Sequence, residues 1–171
     1  QPESHDETAL FSINRGALLN EKKHLGLKLS DSQVIKEAYD GLVTISPNQE
    51  KLRIQEATDL DNICKPTDAL EVLDQIIQDT QQNPGFRIYA KKGDILYSLK
   101  DFEAALDEYK TAIRINPDDY QTLAAIGTVL ASQGDYQRAL VFFNKSLNIC
   151  PQYRFASYSK KQAYAKLRAD L

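Results

Sequence analysis

The chain of 171 residues is 42% hydrophobic and 26% charged, and its formal net charge is −3. These values are typical of a globular chain with one or two small domains and exclude a disordered polypeptide. No apolar run approaches the ~20 residues of a transmembrane helix. The acidic balance argues against a nucleic-acid partner, because binding a phosphate backbone requires a basic surface.

The sequence contains no methionine, not even an initiator. Gln1 is therefore expected to be a processed N-terminus or the edge of an excised domain. A cytoplasmic location is slightly favoured, and an exported or periplasmic location is the alternative. Cys64 and Cys150 lack CxxC or Cys/His spacing, so we predict two buried thiols and no zinc site. His5 and His24 lie in polar segments and are predicted to be surface residues.

The second half of the chain contains an internal repeat. Residues 86–119 and 120–153 align without a gap at a spacing of 34 residues. Equivalent positions carry similar residues, as in Tyr89 and Leu123, Gly93 and Gly127, Leu96 and Leu130, Asp101 and Asp135, Phe102 and Tyr136, Ala105 and Ala139, Tyr109 and Phe143, and Pro117 and Pro151. Apolar residues three and four apart on both sides of a polar turn predict a helical hairpin in each unit.

These residues resemble the tetratricopeptide repeat (TPR) family. Its 34-residue unit favours large apolar residues at positions 4, 11 and 24, small residues at 8, 20 and 27, and Pro at 32. Both units satisfy these positions, with Ser146 counted as small, but Lys92 replaces the usual Leu at position 7. It is interpreted as a snorkelling side chain, with a locally loosened contact as the alternative. The resemblance implies an all-α fold, a right-handed α-solenoid of about four helix-turn-helix hairpins plus a C-terminal capping helix.

The first two hairpins are predicted by extending the register backwards, to about residues 9–49 and 50–85, with insertions in the loops. In the first, Ser30 and Gln33 form a capping-box pattern that predicts a helix beginning near Asp31. In the second, Arg53 and Glu56 are poor matches to the apolar positions of the family.

The last two hairpins are predicted at about 86–119 and 120–153. Each has an Asp at the position where its second helix needs an N-cap, namely Asp101 and Asp135. Each also has a Pro just past the end of that helix, namely Pro117 and Pro151. Residues 154–171 are predicted to form the capping helix, because a terminal repeat needs a polar outer face. The expectation is a single domain over 1–171.

Catalytic motifs are missing from the sequence. It contains no GxSxG, HExxH, GxxxxGK[ST] or GxGxxG pattern. Acidic neighbours such as Asp107 and Glu108 do not face one another on a helix. The glycosylation sequon at 144–146 lies inside a predicted helix, where modification is not expected. We therefore predict no catalytic residue, no cofactor and no metal site.

The resemblance also implies a binding surface. In the family, positions 2, 5, 6, 9, 12 and 13 of the first helices point into a concave groove that suits an extended or helical peptide. Alanines at some of these positions leave room, and the other residues supply polar and aromatic contacts. The candidate groove residues are Arg87, Lys91, Asp94, Tyr97, Gln121, Thr128, Ser132, Phe155, Tyr158 and Gln162.

One specific binding mode of the family is not expected. Co-chaperone members clamp the C-terminal carboxylate of heat-shock chaperones with Lys, Asn and Arg residues. The equivalent positions here are Ile13, Ala17, Gln55, Arg87 and Lys91, and only the last two are cationic. Those two, one helical turn apart, still suit an acidic group.

The predicted function is a non-enzymatic module that binds a protein or peptide, as an adaptor, a scaffold or a chaperone-like protein. The alternatives are a regulatory or docking domain of a larger enzyme and a secretion chaperone for bacterial effectors, with RNA binding as a weaker class. Residues 56–119 carry a charge of −7 and residues 154–171 a charge of +4. This polarity leaves open weak self-association, or docking of the basic cap on an acidic partner.

Overall fold

The computed structural model describes residues 31–43, 49–79 and 84–169, and within these ranges the backbone forms eight α-helices. The helices are α1 (Asp31–Val43), α2 (Gln49–Asn62), α3 (Pro66–Asp79), α4 (Phe86–Ser98), α5 (Phe102–Ile115), α6 (Tyr120–Ser132), α7 (Tyr136–Ile149) and α8 (Arg154–Ala169). The chain divides between residues 83 and 84 into two compact units. The all-α expectation is confirmed for the described ranges, and the prediction of one domain over 1–171 stays a prediction.

The first unit contains α1, α2 and α3 among its described residues. Its core side chains are Val34, Ile35, Ala38, Tyr39, Leu52, Ala57, Leu60, Ala69, Val72, Leu73 and Ile76. The Tyr39 hydroxyl donates a hydrogen bond to the Asp59 carboxylate at 2.8 Å, which ties α1 to α2. Helix α1 begins at the predicted residue Asp31, whereas Ser30 and the first helix of the 9–49 hairpin lie outside the described residues.

Glu56 is buried in the first unit although it carries a charge. Its side chain is 1% exposed, and one carboxylate oxygen lies 2.7 Å from the Arg53 guanidinium, which also pairs with Asp40 at 2.8 Å. Burial raises the pKa of Glu56 to about 6, and the hydrogen bond from Arg53 opposes this shift. The two poor matches to the repeat pattern are therefore partners of one another.

The second unit contains α4 to α8, and its hairpins close around small residues. A Cβ atom placed on Gly93 would lie 2.5 Å from the Tyr109 ring, and one on Gly127 would lie 2.7 Å from the Phe143 ring. Both rings are buried, at 2% and 0% exposure. The glycines let an aromatic ring of the second helix lie directly against the backbone of the first, as the repeat pattern predicts.

The helix ends in the second unit follow the predicted chemistry. The Asp101 and Asp135 carboxylates accept hydrogen bonds from the amides of Ala104 at 3.3 Å and Arg138 at 3.0 Å, so both predicted N-caps are confirmed. Helices α5 and α7 end at Ile115 and Ile149, two residues before the predicted stops at Pro117 and Pro151.

The turn between the two helices of each hairpin has a left-handed residue. Lys100 has φ 66° and Gly134 has φ 83°. The amide after each of them donates to a carbonyl five residues back, as in Asp135 to Leu130 at 2.9 Å, and this closes a Schellman cap. Gly134 suits this conformation, whereas Lys100 adopts it against the preference of a residue with a Cβ.

The structure corrects the prediction for Cys64, which is exposed rather than buried. Its φ of 59° places it at the left-handed position that closes α2, and there the side chain projects into solvent. Cys150 is half-buried.

Lys92 also differs from the snorkelling interpretation. Its side chain is 14% exposed, and its ammonium group lies 2.8 Å from the Glu108 carboxylate on the partner helix. The ion pair, rather than solvent, accommodates the charge at position 7.

None of the helices in the described ranges is long and apolar enough to cross a membrane.

Candidate peptide-binding groove

A recess of about 520 Å³ lies between the first helices of the second unit. Its wall is formed by α4 and α6, and Phe155 of α8 closes one side. Seven of the predicted groove residues line it, namely Arg87, Lys91, Asp94, Tyr97, Gln121, Thr128 and Phe155. Ala90 and Ala125 are also in the lining, and their small side chains leave the space open.

A second recess of about 270 Å³ adjoins the first at Thr128. It lies between the C-terminal half of α6, α7 and α8. The other three predicted residues, Ser132, Tyr158 and Gln162, line it together with the apolar side chains of Ala131, Tyr136, Phe143 and Ala163. The structure thus brings all ten predicted residues onto two adjoining recesses, while their role in binding stays a prediction.

The two first helices are linked across the groove wall by Tyr97. Its hydroxyl lies 3.1 Å from the Ser132 hydroxyl, and Ser132 also donates to the Thr128 carbonyl at 3.0 Å. The Tyr97 ring packs against Phe102 at 5.7 Å between centroids. These contacts hold Tyr97 in place beside both recesses.

The first recess carries charges of both signs. Arg87 and Lys91 lie one turn apart on α4, and the Arg87 guanidinium lies 5.7 Å from the centroid of the Phe86 ring. Asp94, one turn further on, accepts a hydrogen bond of 2.7 Å from the Tyr109 hydroxyl. Burial, together with the Asp94 carboxylate, raises the pKa of Tyr109, so its hydroxyl remains a donor.

Several residues in the lining were missed by the candidate list. Tyr109 occupies a large apolar position of the repeat and its ring is buried, yet its hydroxyl end reaches the first recess. Asp119 lines the same recess while capping α6 through the amide of Thr122 at 3.0 Å. The N-cap position of Asp119 was a signal that could have identified it.

Tyr153 was also missed, and it forms an aromatic edge to the groove. Its ring lies 5.0 Å from Tyr120 and 5.9 Å from Phe155, measured between centroids. Burial raises the pKa of Tyr153, and neighbouring Tyr120 adds to the shift.

Other predictions concern residues away from the groove. Ser146 of the sequon is fully buried on α7, and its hydroxyl donates to the Tyr120 carbonyl at 2.7 Å. Ile13 and Ala17, two of the carboxylate-clamp positions, lie outside the described residues, as do His5 and His24. Gln55, a third clamp position, donates to Asp59 at 3.2 Å. Over the described ranges, no three His, Cys, Asp or Glu side chains are grouped as a metal site would require.

Comparison with known proteins locates tetratricopeptide repeats in the second unit. A family model described as TPR repeat matches residues 93–134, and one described as Tetratricopeptide repeat matches residues 120–153. A TPR repeat-containing protein of Methanocaldococcus jannaschii is 34% identical over 79 residues, which is 46% of this chain and 13% of that protein. The chain thus spans a small part of the length of this relative.

Solved structures share the fold. The crystal structure of MamA protein has a TM-score of 0.64 and 23% identity, over 92% of this chain and 82% of MamA. The first TPR of Spaghetti (RPAP3), bound to an HSP90 peptide, has a TM-score of 0.64 and 12% identity, over 72% of this chain and 97% of that one. These neighbours, with the eight helices, confirm the predicted all-α solenoid class. Residues 93–153 therefore match the tetratricopeptide repeat family, and the described helices share the fold of the solved TPR structure.

Proposed function

We propose that this chain is a non-enzymatic protein-interaction module, of the adaptor, scaffold or chaperone-like kind. The segment it binds is an extended or helical peptide, and the binding surface is the groove formed by the two adjoining recesses of the second unit. The observation that carries this proposal is that the two recesses share Thr128 in their lining, so that they lie close enough for one peptide to contact both. Grooves of this kind, apolar with a few polar groups, are the usual form of a peptide site.

The chemistry of the groove defines the segment. Arg87 and Lys91 favour an acidic side chain at the first recess, whereas the second recess is lined mainly by apolar side chains and favours an aliphatic or aromatic one. Asp94 and Asp119 are engaged with Tyr109 and Thr122, so their carboxylates act as fixed acceptors for donors on the peptide.

Use of the groove for peptide binding is supported by the RPAP3 neighbour, which was solved with an HSP90 peptide. The mode proposed here differs from a carboxylate clamp, since Ile13 and Ala17 occupy two of the clamp positions. We therefore expect the groove to recognise side chains within the bound peptide rather than the carboxylate at its C-terminus.

The proposal of a module without catalysis is supported by the partners of two groove hydroxyls, those of Ser132 and Thr128. The Ser132 hydroxyl bonds to Tyr97 and to the Thr128 carbonyl, and Thr128 donates to the Ala124 carbonyl at 3.0 Å. A hydroxyl held by its own helix in this way lacks the adjacent general base that activates a nucleophile. The proposed partners are proteins or peptides rather than nucleic acid, and weak self-association is part of the same proposal.

A matched pair of substitutions tests the groove. Peptides selected from a random displayed library against the full chain are measured by fluorescence anisotropy with the wild type, Gln121→Trp and Gln137→Trp. Gln121 is exposed and lines the first recess, whereas Gln137, which is also exposed, lies on α7 and lines neither recess. We expect Gln121→Trp to weaken binding at least about tenfold and Gln137→Trp to leave it within about twofold. Equal binding by all three proteins would refute a groove site.

A further inference from the structure

Helix α8 presents an outer face that differs from that of the other first helices. In α6, the face turned toward α7 carries Leu123, Gly127 and Leu130, all buried. The residues 34 positions later on α8 are Ser157, Lys161 and Tyr164, and the last two are exposed. A lysine thus stands where Gly127 allows the Phe143 ring to approach the backbone. This face is unsuited to close packing of an apolar helix.

The exposed face of α8 carries a line of cations. Arg154, Lys161 and Arg168 are seven residues apart, so they lie on one side of the helix at intervals of about 10 Å. All three are exposed, and none takes part in the ion pairs formed among the described residues. The helix Arg154–Ala169 contains no acidic residue at all.

Tyrosines flank this line. Tyr158, which also lines the second recess, is 65% exposed, and Tyr164 is 48% exposed, which are high values for large aromatic side chains. Tyr and Arg are the residue types enriched in protein interfaces, since they combine apolar area with hydrogen-bond donors. The cations and tyrosines together form what we call the cationic stripe (Arg154, Tyr158, Lys161, Tyr164 and Arg168).

Stabilisation of α8 itself does not explain the stripe. Cations in the last turn interact favourably with the helix dipole, which accounts for Arg168. The same dipole disfavours Arg154, which is the first residue of the helix, and is neutral toward Lys161 at its middle. Arg154 and Lys161, which the dipole does not explain, lie on the same side of the helix as Arg168, which it does explain.

We propose that the cationic stripe docks an acidic helix of another protein, one whose carboxylates recur every seven residues. Such a helix, lying along α8, places its carboxylates at the spacing of the three cations, while the tyrosines donate to them and cover its apolar side chains. A nucleic-acid duplex is disfavoured by the net charge of the chain, −3, because duplex binding requires a broad basic surface. A second copy does not match either, because none of the eight described helices has two acidic residues seven apart.

The test uses labelled 22-residue alanine-rich peptides with Glu at positions 4, 11 and 18, or with the same composition and Glu at 4, 9 and 14. Fluorescence anisotropy is measured with the full chain at 0.15 M salt, where charges more than about 8 Å apart are screened. We expect the seven-residue spacing to bind at least about tenfold more tightly than the five-residue spacing. We expect Lys161→Glu with Arg168→Glu to remove that preference.

Two controls separate docking from loss of fold or of net charge. Arg114→Glu with Lys145→Glu changes the net charge equally on α5 and α7, and should leave binding within about twofold. A peptide with Lys at 4, 11 and 18 should bind the Lys161→Glu, Arg168→Glu protein more tightly than one with Lys at 4, 9 and 14, a spacing preference that a misfolded variant would not show. The proposal is overturned by equal binding of both spacings, by equal loss in the control variant, or by failure of the lysine peptide. It is overturned as well if duplex DNA, anionic vesicles or a second copy of the chain displaces the glutamate peptide from the stripe.

Discussion

Gly127→Ala tests the closest approach in the second unit. The new methyl group would lie 2.7 Å from one atom of the Phe143 ring and 2.9 Å from the next, where ordinary contacts begin near 3.4 Å. Phe143 is fully buried, so the ring can move only by displacing its neighbours. Overpacking of this kind costs about 1–3 kcal/mol, whereas alanine in a helix gains about 1 kcal/mol over glycine. We expect a net loss of about 1 kcal/mol.

The same substitution in a Phe143→Leu background isolates the contact. Leucine lacks the ε and ζ ring carbons, including the nearest atom at 2.7 Å, and its δ methyl groups can rotate away from the new methyl group. In that background Gly127→Ala should therefore retain most of its helical gain of about 1 kcal/mol. The double-mutant cycle should therefore show a coupling of about 2 kcal/mol between the two positions. The free energy of unfolding is measured by urea titration with far-UV circular dichroism. If Gly127→Ala stabilises both backgrounds equally, the methyl group does not meet the ring and the close approach is refuted.

Four further substitutions follow from helix ends and from one buried charge. Lys100→Gly should raise the free energy of unfolding by about 0.5–1 kcal/mol, because glycine adopts the positive φ of this position without strain. Gly134→Ala, at φ 83°, should lower the free energy of unfolding by a similar amount. A thermal melt of each variant checks the direction of the two changes. Asp135→Ala should cost about 1 kcal/mol by removing the N-cap of α7; an unchanged melting temperature would contradict the cap. Glu56 has its pKa raised by burial from 4.5 to about 6, so the folded protein binds the proton more tightly; its contribution to stability is full below pH 4.5 and is lost as the pH rises through 6. The loss is about 2 kcal/mol, and Glu56→Gln should flatten the pH dependence of urea unfolding in that window, whereas the same slope in both proteins would assign it to another group.

Much of the second unit could be predicted because its signals are local. The 34-residue period and the helical spacing of apolar residues predict which segments form helices, and the capping aspartates and prolines mark where the second helices begin and end. Each of these signals acts over a few residues, so it is present in the chain before any packing occurs. The small residues at Gly93 and Gly127 likewise indicated where helices would cross.

Contacts between distant residues decided the rest. Lys92 and Glu108 are 16 residues apart in sequence, and only the packing of α4 on α5 brings their charges to 2.8 Å. Packing also turns the hydroxyl end of Tyr109 into the first recess, where a periodic pattern indicates only a buried ring. Cys64 is exposed because the cap of α2 needs a left-handed residue there.

The repeat pattern by itself predicted the helical hairpins and the face of the first helices that carries the candidate groove residues. Which groups on that face are already engaged, such as Asp94 with Tyr109, was decided only by the tertiary structure. The physical reason is one of range. Helix formation and capping depend on neighbours within about four residues, whereas the pairing of a charge and the depth of a recess depend on which helices meet.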